Sequence, residues 1–480
     1  MSSRRSQTID EPRRARTPRE AEERLALVVV HAAEPELVGS VALIRDPVSV
    51  LGRGEAAPAD GAPRLVPLRQ RPGDNASAGV FASKFLSHVQ LHIEQRAGSL
   101  VVENVGRCTL RTSRGDDVDR LEVEPGGAFS LGEQLLFLVT RRPERLASLR
   151  TLRADALPPF GAVDTMGIVG ESRAIWELRD VVAFLGLRAA HVLVLGPSGS
   201  GKEVVAQAIH RSSMRAPKRI VSRNAATIPA TLADAEFFGN AASYPNAGMP
   251  ERPGLIGEAD GSTLFLDEIG ELPEDVQTKL LRLLDGAGEY QRLGDARRRT
   301  SSFRLIGATN RPLEALRHDV AARFKLRVSL PGLAERREDI PLLVRHLLTL
   351  IAADDPDVGA QFFDGWDGRT GTPRITLALV RALVLQEYQT HVRELENLLW
   401  ISIGSSRGNE LDVTAEVEER LTSTLAHTTP RELSAEEVKA ALERAGGSRE
   451  KAWRELGLAS RHVLKRLMKK HGLDQDDQGA

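Results

Sequence analysis

The chain has 480 residues, an apolar content of 41% and a formal net charge of −1. That length exceeds what one core organises and predicts about three domains. The near-neutral balance excludes a molecule drawn as a whole to nucleic acid or membrane, so any such field must be local. A single cysteine, Cys108, excludes an internal disulfide framework and fits a reducing cytosol.

Residues 1–24 carry many charges, two prolines and little to bury, and read as a disordered tail. They hold no apolar h-region, and no run in the chain reaches the ~18 apolar residues of a membrane span. A soluble, cytoplasmic protein with no membrane partner is expected. Over 25–143 short β-rich runs (LALVVV, SVALI, LVVENV, LLFLV) alternate with turn residues, the pattern of a β-sandwich or barrel. Gly54 to Ser83 is rich in Pro, Gly, Ala and Asn and reads as a long loop. Residues 144–163 read as a linker.

Between 164 and 345, apolar strand runs alternate with helical periodicity: HVLVLG, KEVVAQAIH, STLFLDEIG, EDVQTKLLRLL and FRLIGATN. That alternation predicts a parallel sheet covered by helices. Residues 346–410 read mostly helical, broken by FFDGWDGRTGT, and 411–430 read as a polar linker. A last helical block occupies 431–475. The fold class is therefore multidomain: an N-terminal β-sandwich, a central α/β domain with a helical lid, and an all-α C-terminal domain.

Gly196-Pro197-Ser198-Gly199-Ser200-Gly201-Lys202 ends a strand and opens a helix. Glycines let backbone N–H groups turn in around phosphate oxygens, the helix N-terminus adds positive potential, and Lys202 supplies a point charge for the outer phosphates. A nucleoside triphosphate, ATP, is the expected ligand. Glu203 stands where Ser or Thr usually gives Mg²⁺ a hydroxyl. Metal binding then falls to phosphates, water and a distant carboxylate. The run Thr263 to Leu266 leads into Asp267-Glu268, and the C-terminal end of such a strand is where open α/β sheets bind ligand. Asp267 is expected to hold the Mg²⁺ shell, and Glu268 to orient or deprotonate the attacking water. Asn310 ends the run FRLIGATN, where it can sense the γ-phosphate, position water or cap the next turn.

GPSGSGKE, RNAATIP, EADGSTLFLDEIGELP, LIGATNR, ERREDIPLL and HVRELEN occur in this order and spacing. Together they resemble the AAA+ domain of sigma-54-dependent bacterial transcription activators, the enhancer-binding proteins, over roughly 164–410. In that family Glu203 is the usual residue after the lysine. The resemblance implies that Asn224 holds the Glu268 side chain until the nucleotide state changes. It makes Arg317 and Arg323 arginine fingers that reach a neighbour's ATP, and Arg393 the lid's sensor arginine. It also implies a homo-oligomeric ring such as a hexamer, with DNA and sigma-54 RNA polymerase as partners. The family's GAFTGA loop aligns with Ser243-Tyr244-Pro245-Asn246-Ala247-Gly248, so Pro245 replaces Phe and Asn246 replaces Thr. Proline fixes φ and removes a donor, which predicts a different loop tip.

In the N-terminal region Leu51-Gly52-Arg53, Ser87-His88-Val89-Gln90 and Glu103-Asn104 resemble a forkhead-associated domain, a β-sandwich that binds phosphothreonine proteins. That likeness places Arg53, Ser87 and Asn104 at phosphate or peptide backbone, and arginine suits phosphate because it donates in a fork. It puts Gln90 where the family's buttressing histidine stands. Residues Ser448 to Leu473 carry eight Arg/Lys against two Glu, a local footprint for DNA phosphates. Gly446-Gly447, Ser448, Gly457 and Ser460 delimit helices that resemble a Fis-type helix-turn-helix. Arg461, His462 and Lys465 then face base edges, and Arg466, Lys469 and Lys470 face phosphates.

These features predict an ATP-hydrolysing, DNA-binding regulator of the sigma-54 activator type. Two alternatives stand beside it. One is a sigma-54-independent regulator in which ATP switches oligomerisation or DNA binding. The other is a non-enzymatic scaffold that reads phosphopeptides.

Overall fold

The computed structural model describes residues 23–55, 61–153, 157–285, 288–313, 316, 318–428, 435–444 and 468. They fall into two compact units. One takes residues 23–28, 40–129 and 138–148, and the other takes 29–39, 130–137 and the chain from Leu149 onward.

The N-terminal region is β apart from the single 3-10 turn Pro35–Leu37 among its described residues. An eight-stranded sheet runs in the order Asp74–Ser77, Leu68–Arg71, Val41–Leu43, Glu23–Ala32, Leu135–Pro143, Ala128–Leu131, Leu110–Arg111, Asp117–Val118. A four-stranded antiparallel sheet runs Arg120–Val123, Leu100–Asn104, Leu91–Gln95, Val48–Leu51. Leu91 and Ile93 are buried while the alternate residues His92 and Glu94 are not, the alternation of a half-covered strand. The stretch Gly54 to Ser83, expected to be a long loop, instead contains the hairpin Leu68–Arg71/Asp74–Ser77. Its turn uses Gly73 at φ +79°, and Gln70 is buried with its amide donating to the Pro143 carbonyl.

The second unit holds a five-stranded parallel sheet: β1 (Val192–Leu195), β2 (Val221–Asn224), β3 (Thr263–Asp267), β4 (Arg304–Thr309) and β5 (Leu326–Ser329). The strand order is β2-β3-β4-β1-β5. Period-two alternation divides β1, β3 and β4 between two cores. Val192, Val194, Phe265, Ile306 and Ala308 join Ile175, Val182 and Ile209 on one face. Leu193, Leu264, Leu266 and Leu305 join Phe237, Leu255 and Leu280 on the other. The first face is covered by α1 (Arg173–Gly186) and α2 (Lys202–Arg211). Helix α1 starts at Ser172, whose side chain accepts from the Ile175 amide.

The lid follows as α3 (Ile340–Asp354), α4 (Leu377–Leu385) and α5 (His391–Ser405). The Gly/Asp-rich break between α3 and α4 carries a two-strand hairpin, Phe363–Asp364 with Thr372–Pro373. One expectation is corrected here: residues 411–430, read as a polar linker, contain helix α6 (Ala415–Thr428). Leu411 is fully buried and bridges Ile375, the Thr414 hydroxyl accepts from the Val417 amide, and Val417 is fully buried. Burial of those residues fixes a segment whose composition alone reads as coil. A further helix spans Ala435–Arg444. Among the described residues no helix is long and apolar enough to cross a membrane.

Candidate functional site

The loop Gly196 to Gly201 joins β1 to α2 at the C-terminal end of the parallel sheet. Gly199 and Gly201 adopt φ of +74° and +100°, the left-handed region that glycine enters without steric cost. Gly199 is also constrained by its surroundings. A Cβ there would lie 2.1 Å from the Thr390 carbonyl oxygen. The lid closes on the loop at this point, because the Val392 amide donates to the Gly199 carbonyl at 3.0 Å. Arg393, the first-turn arginine of α5, is thereby brought against the phosphate loop, its Cβ 3.2 Å from where a Gly199 Cβ would stand.

Lys202 opens α2 and is buried. Its Nζ donates to the carbonyls of Gly196 (3.1 Å) and Pro197 (3.2 Å) and lies 3.8 Å from Glu268 Oε1. Glu203 faces solvent one residue on and accepts from Gln207 Nε2. Asp267 ends β3, where its Oδ1 accepts from the Glu268 amide at 3.0 Å. Glu268 itself is left-handed, at φ 49° and ψ 47°. A non-glycine residue there stores about 1–3 kcal/mol of strain, and such outliers cluster at functional sites. The turn aims its carboxylate back across the sheet, where Oε2 accepts from the Asn310 amide at 3.3 Å. Asn310 is exposed and follows β4 directly. Lys202, Glu268 and Asn310 thus converge on one spot at the end of three adjacent strands.

Asn224 is placed differently from its expected role. It ends β2 in register with Asp267, but its Oδ1 accepts from the Ala226 amide at 2.9 Å. Among the described residues Glu268 is held by Lys202 and Asn310, and no hydrogen bond joins it to Asn224. Arg323 ends the short helix His318–Arg323 and is partly exposed. Arg317 lies outside the described residues, as do Arg461, His462, Lys465, Arg466, Lys469 and Lys470.

Sequence reasoning missed two features of this site. The first is a cavity of about 190 Å³ beside the phosphate loop, with Ile168, Val169, Leu330, Leu343, Leu347 and Val392 on its walls. Its apolar lining suits a flat ring such as a purine, and the run GIVG at 167–170 was the available signal. The second is the turn before α5. The Glu394 carboxylate accepts from the Gln389 and Thr390 amides at 2.9 and 3.1 Å, and the His391 Nδ1 accepts from Leu333 N at 3.1 Å. His391 is left-handed at φ 46°. Burial lowers its pKa, and the Arg336 charge lowers it further.

The loop 243–248 is closed at its base by a pair of hydrogen bonds between Asn240 and Arg252. Buried Asn240 spends its side-chain amide on the carbonyls of Ala241, Tyr244 and Pro250. The Tyr244 ring packs on Gly294 of the neighbouring hairpin, Glu289–Gln291 with Arg298–Thr300. Glu251 pairs with Arg292 and Arg299 of the same hairpin. Pro245 and Asn246 stay exposed at the tip.

In the N-terminal unit, Arg53, Ser87 and Asn104 come together around Gln90. The Arg53 amide donates to the Ser87 carbonyl at 2.9 Å. Gln90 is fully buried; its Oε1 accepts from the Ser87 and Cys108 amides, and its Nε2 donates to Asn104 Oδ1 and the Cys108 carbonyl. The Ser87 hydroxyl accepts from the Arg107 amide. Among the described residues the Arg53 guanidinium makes no hydrogen bond or ion pair.

The family model described as the Sigma-54 interaction domain matches residues 168–330. The transcriptional regulatory protein ZraR of Escherichia coli (strain K12) is 32% identical over 339 residues, which is 67% of this chain and 73% of that protein. The chain belongs to the family of transcriptional regulators built on the sigma-54 interaction domain. That domain is an AAA+ ATPase, and this chain binds ATP through it. The reading as a non-enzymatic scaffold is set aside accordingly. The DNA-binding transcriptional regulator NtrC of Escherichia coli (strain K12) is 37% identical over 273 residues, or 55% of each chain. Among solved structures, NtrX from Brucella abortus in complex with ADP aligns at a TM-score of 0.46 and 28% identity, over 64% of this chain and 70% of that one.

Proposed function

We propose that this chain is an ATP-driven, DNA-binding regulator that acts on sigma-54 RNA polymerase. The observation that carries this reading is the convergence of Lys202, Glu268 and Arg393 on the phosphate loop, inside the stretch that matches the sigma-54 interaction domain. Gly196 to Lys202 bind the triphosphate through backbone amides and the Lys202 ammonium. Asp267, with the nucleotide's phosphates, would hold Mg²⁺, an ion that takes one or two carboxylates beside phosphate oxygens and keeps several waters. The metal would neutralise charge on the phosphates. Glu268, aimed by its left-handed turn and held by the Asn310 amide, accepts the proton of the attacking water. Arg393 reads the phosphates from the lid. Arg317 and Arg323 act on a neighbouring subunit's ATP, which makes the working form a homo-oligomeric ring. Asn224 is the residue that takes hold of Glu268 in another nucleotide state.

The C-terminal residues Arg461, His462, Lys465, Arg466 and Lys469 bind an upstream DNA site as a Fis-type helix-turn-helix. The N-terminal sheets form a forkhead-associated sandwich in which Arg53, Ser87 and Asn104 receive a phosphothreonine protein. The open Arg53 guanidinium and the fixed Ser87 and Asn104 loops support that reading. The site of action is the cytoplasm.

A second reading is favoured by one observation. The 243–248 loop is fastened to the adjacent hairpin and presents Pro245 and Asn246 instead of the family's Phe and Thr. On that reading ATP switches oligomerisation or DNA binding without sigma-54. Co-sedimentation with sigma-54 in a transition-state nucleotide separates the two. With NtrC as positive control, a missing complex would sink the first reading and leave the second.

A further inference from the structure

Arg336 sits in the segment Leu333–Asp339, just ahead of α3, with φ −139° and ψ 39° that break the local helix. Its side chain is 6% exposed. The guanidinium has one long hydrogen bond, Nη2 to the Ser200 carbonyl at 3.5 Å, and its Nε has no partner. Ser200 is 4% exposed, and its Oγ is likewise buried without a partner. Both residues line the cavity beside the phosphate loop. Asp339, a buried acid whose charge acts on Arg336, spends Oδ1 on the Glu171 and Ser172 amides; its Oδ2 has no hydrogen-bond partner, and no ion pair joins it to Arg336 among the described residues. Burial lowers the Arg336 pKa, opposed by the charges of Asp339 and Glu335.

A buried cation without a hydrogen-bonded carboxylate is costly, and each buried polar group left unpaired adds to that cost. Arg336 and Ser200 both border this cavity, next to the glycine-rich loop, and the guanidinium's one long bond to the Ser200 carbonyl leaves it donors to give to a phosphate oxygen placed there.

We propose that Arg336, with Ser200, is a direct nucleotide contact that donates to a phosphate oxygen of the bound nucleotide. It links the lid to phosphate in addition to Arg393. The inference rests on the reading of this cavity as the nucleotide site. Arginine suits the task because its planar fork can hold the Ser200 carbonyl and a phosphate oxygen at once.

The test is ADP binding by the full-length protein, measured by calorimetry and by the ADP-induced shift in melting temperature. Lys202→Ala serves as the control for the site itself. Failure of wild type to bind ADP defeats the site and this inference together. ADP binding by wild type that Arg336→Gln leaves unchanged defeats the inference alone. Arg336→Gln is expected to bind ADP at least ~10-fold more weakly while its ligand-free melting temperature holds or rises, because a buried uncompensated charge has gone. If affinity and ligand-free stability fall together, Arg336→Lys decides. Recovery of ADP affinity with the restored charge sustains the contact, and no recovery overturns it. Adenosine adds a second arm: a Gln variant that loses adenosine and ADP binding to the same degree places Arg336 on the nucleoside and overturns the phosphate assignment.

Discussion

Lys202 Nζ and Glu268 Oε1 lie 3.8 Å apart, from opposite sides of the phosphate-binding end of the sheet. On the proposed function the pair joins the residue that would bind phosphate to the residue that would handle water. Glu268→Gln keeps the shape and the amide contact from Asn310 but removes the proton acceptor. Its steady-state ATPase rate is expected to fall ~10²-fold or more while ATP affinity is retained. Lys202→Ala is expected to lose ATP binding. Hydrolysis at the wild-type rate in Glu268→Gln would remove Glu268 from the mechanism.

Gly199→Ala places a Cβ 2.1 Å from the Thr390 carbonyl at a residue with φ +74°. The left-handed backbone alone costs about 1–2 kcal/mol in a residue with a Cβ, and the clash must push the lid turn off the phosphate loop. ATP affinity and thermal stability should drop together. An Ala variant that binds ATP like wild type would show that the lid contact is dispensable.

Gln90 satisfies four groups at once, on Ser87, Asn104 and Cys108. Gln90→Ala removes four hydrogen bonds from a fully buried side chain, leaving Asn104 Oδ1 only the Gly106 amide, with an expected loss of about 3 kcal/mol in the N-terminal unit. Gln90→Glu is the sharper probe. It keeps the acceptor for Ser87 and Cys108 but sets a carboxylate against Asn104 Oδ1 and the Cys108 carbonyl. Chemical denaturation should rank wild type above both variants. Gly106→Ala belongs with them, since its Cβ would lie 2.4 Å from Gln90 Oε1.

His191 gives a pH dependence with a defined sign. Its Nδ1 accepts from the Leu305 amide, so the neutral ring is the form the fold requires. Burial, then the charges of Arg304 and Arg215, lower its pKa to about 4. A folded-state value below the unfolded value means that the stability is present above the unfolded pKa, about 6.5, and is lost as pH falls towards 4. The full difference amounts to about 3 kcal/mol. Unfolding free energy measured from pH 7 to pH 4 should decline through this window. His191→Gln, which keeps an acceptor for Leu305, should flatten that part of the decline. An unchanged profile would show that another group sets it.

Much of the central architecture is legible in the sequence because each core strand is a short apolar run ending in a chemically distinctive residue: Leu195 before Gly196, Leu266 before Asp267, Thr309 before Asn310. Period-two burial places those ends side by side, and the site follows from the sheet. Helix α6 was harder to read. Val417, Leu421 and Leu425 recur every four residues, but the intervening Glu and Thr make the segment look like solvated coil until Leu411 is seen anchoring it. The hairpin at 68–77 was masked in the same way by Pro, Gly and Asn around a polar strand. Side-chain pairing was the least legible layer. Spacing alone could not show that Asn224 bonds Ala226, that Glu394 builds the turn before α5, or that Gln90 binds three separate segments together.

The hairpin strand Arg298–Thr300 passes into β4 through three residues, and β4 ends at the amide that holds Glu268. Two of the three are pinned by hydrogen bonds and the third is buried: Ser301 N donates to the Gly288 carbonyl, Ser301 Oγ to the Ile256 carbonyl and Ser302 N to Asp260, and Phe303 packs in the core. Residues 298–310 therefore have little slack. Because Glu251 and Tyr244 fasten the exposed loop to that hairpin, the stretch has the build of a pushrod. One end rests on the Glu268 carboxylate, and the other carries an exposed tip with Pro245.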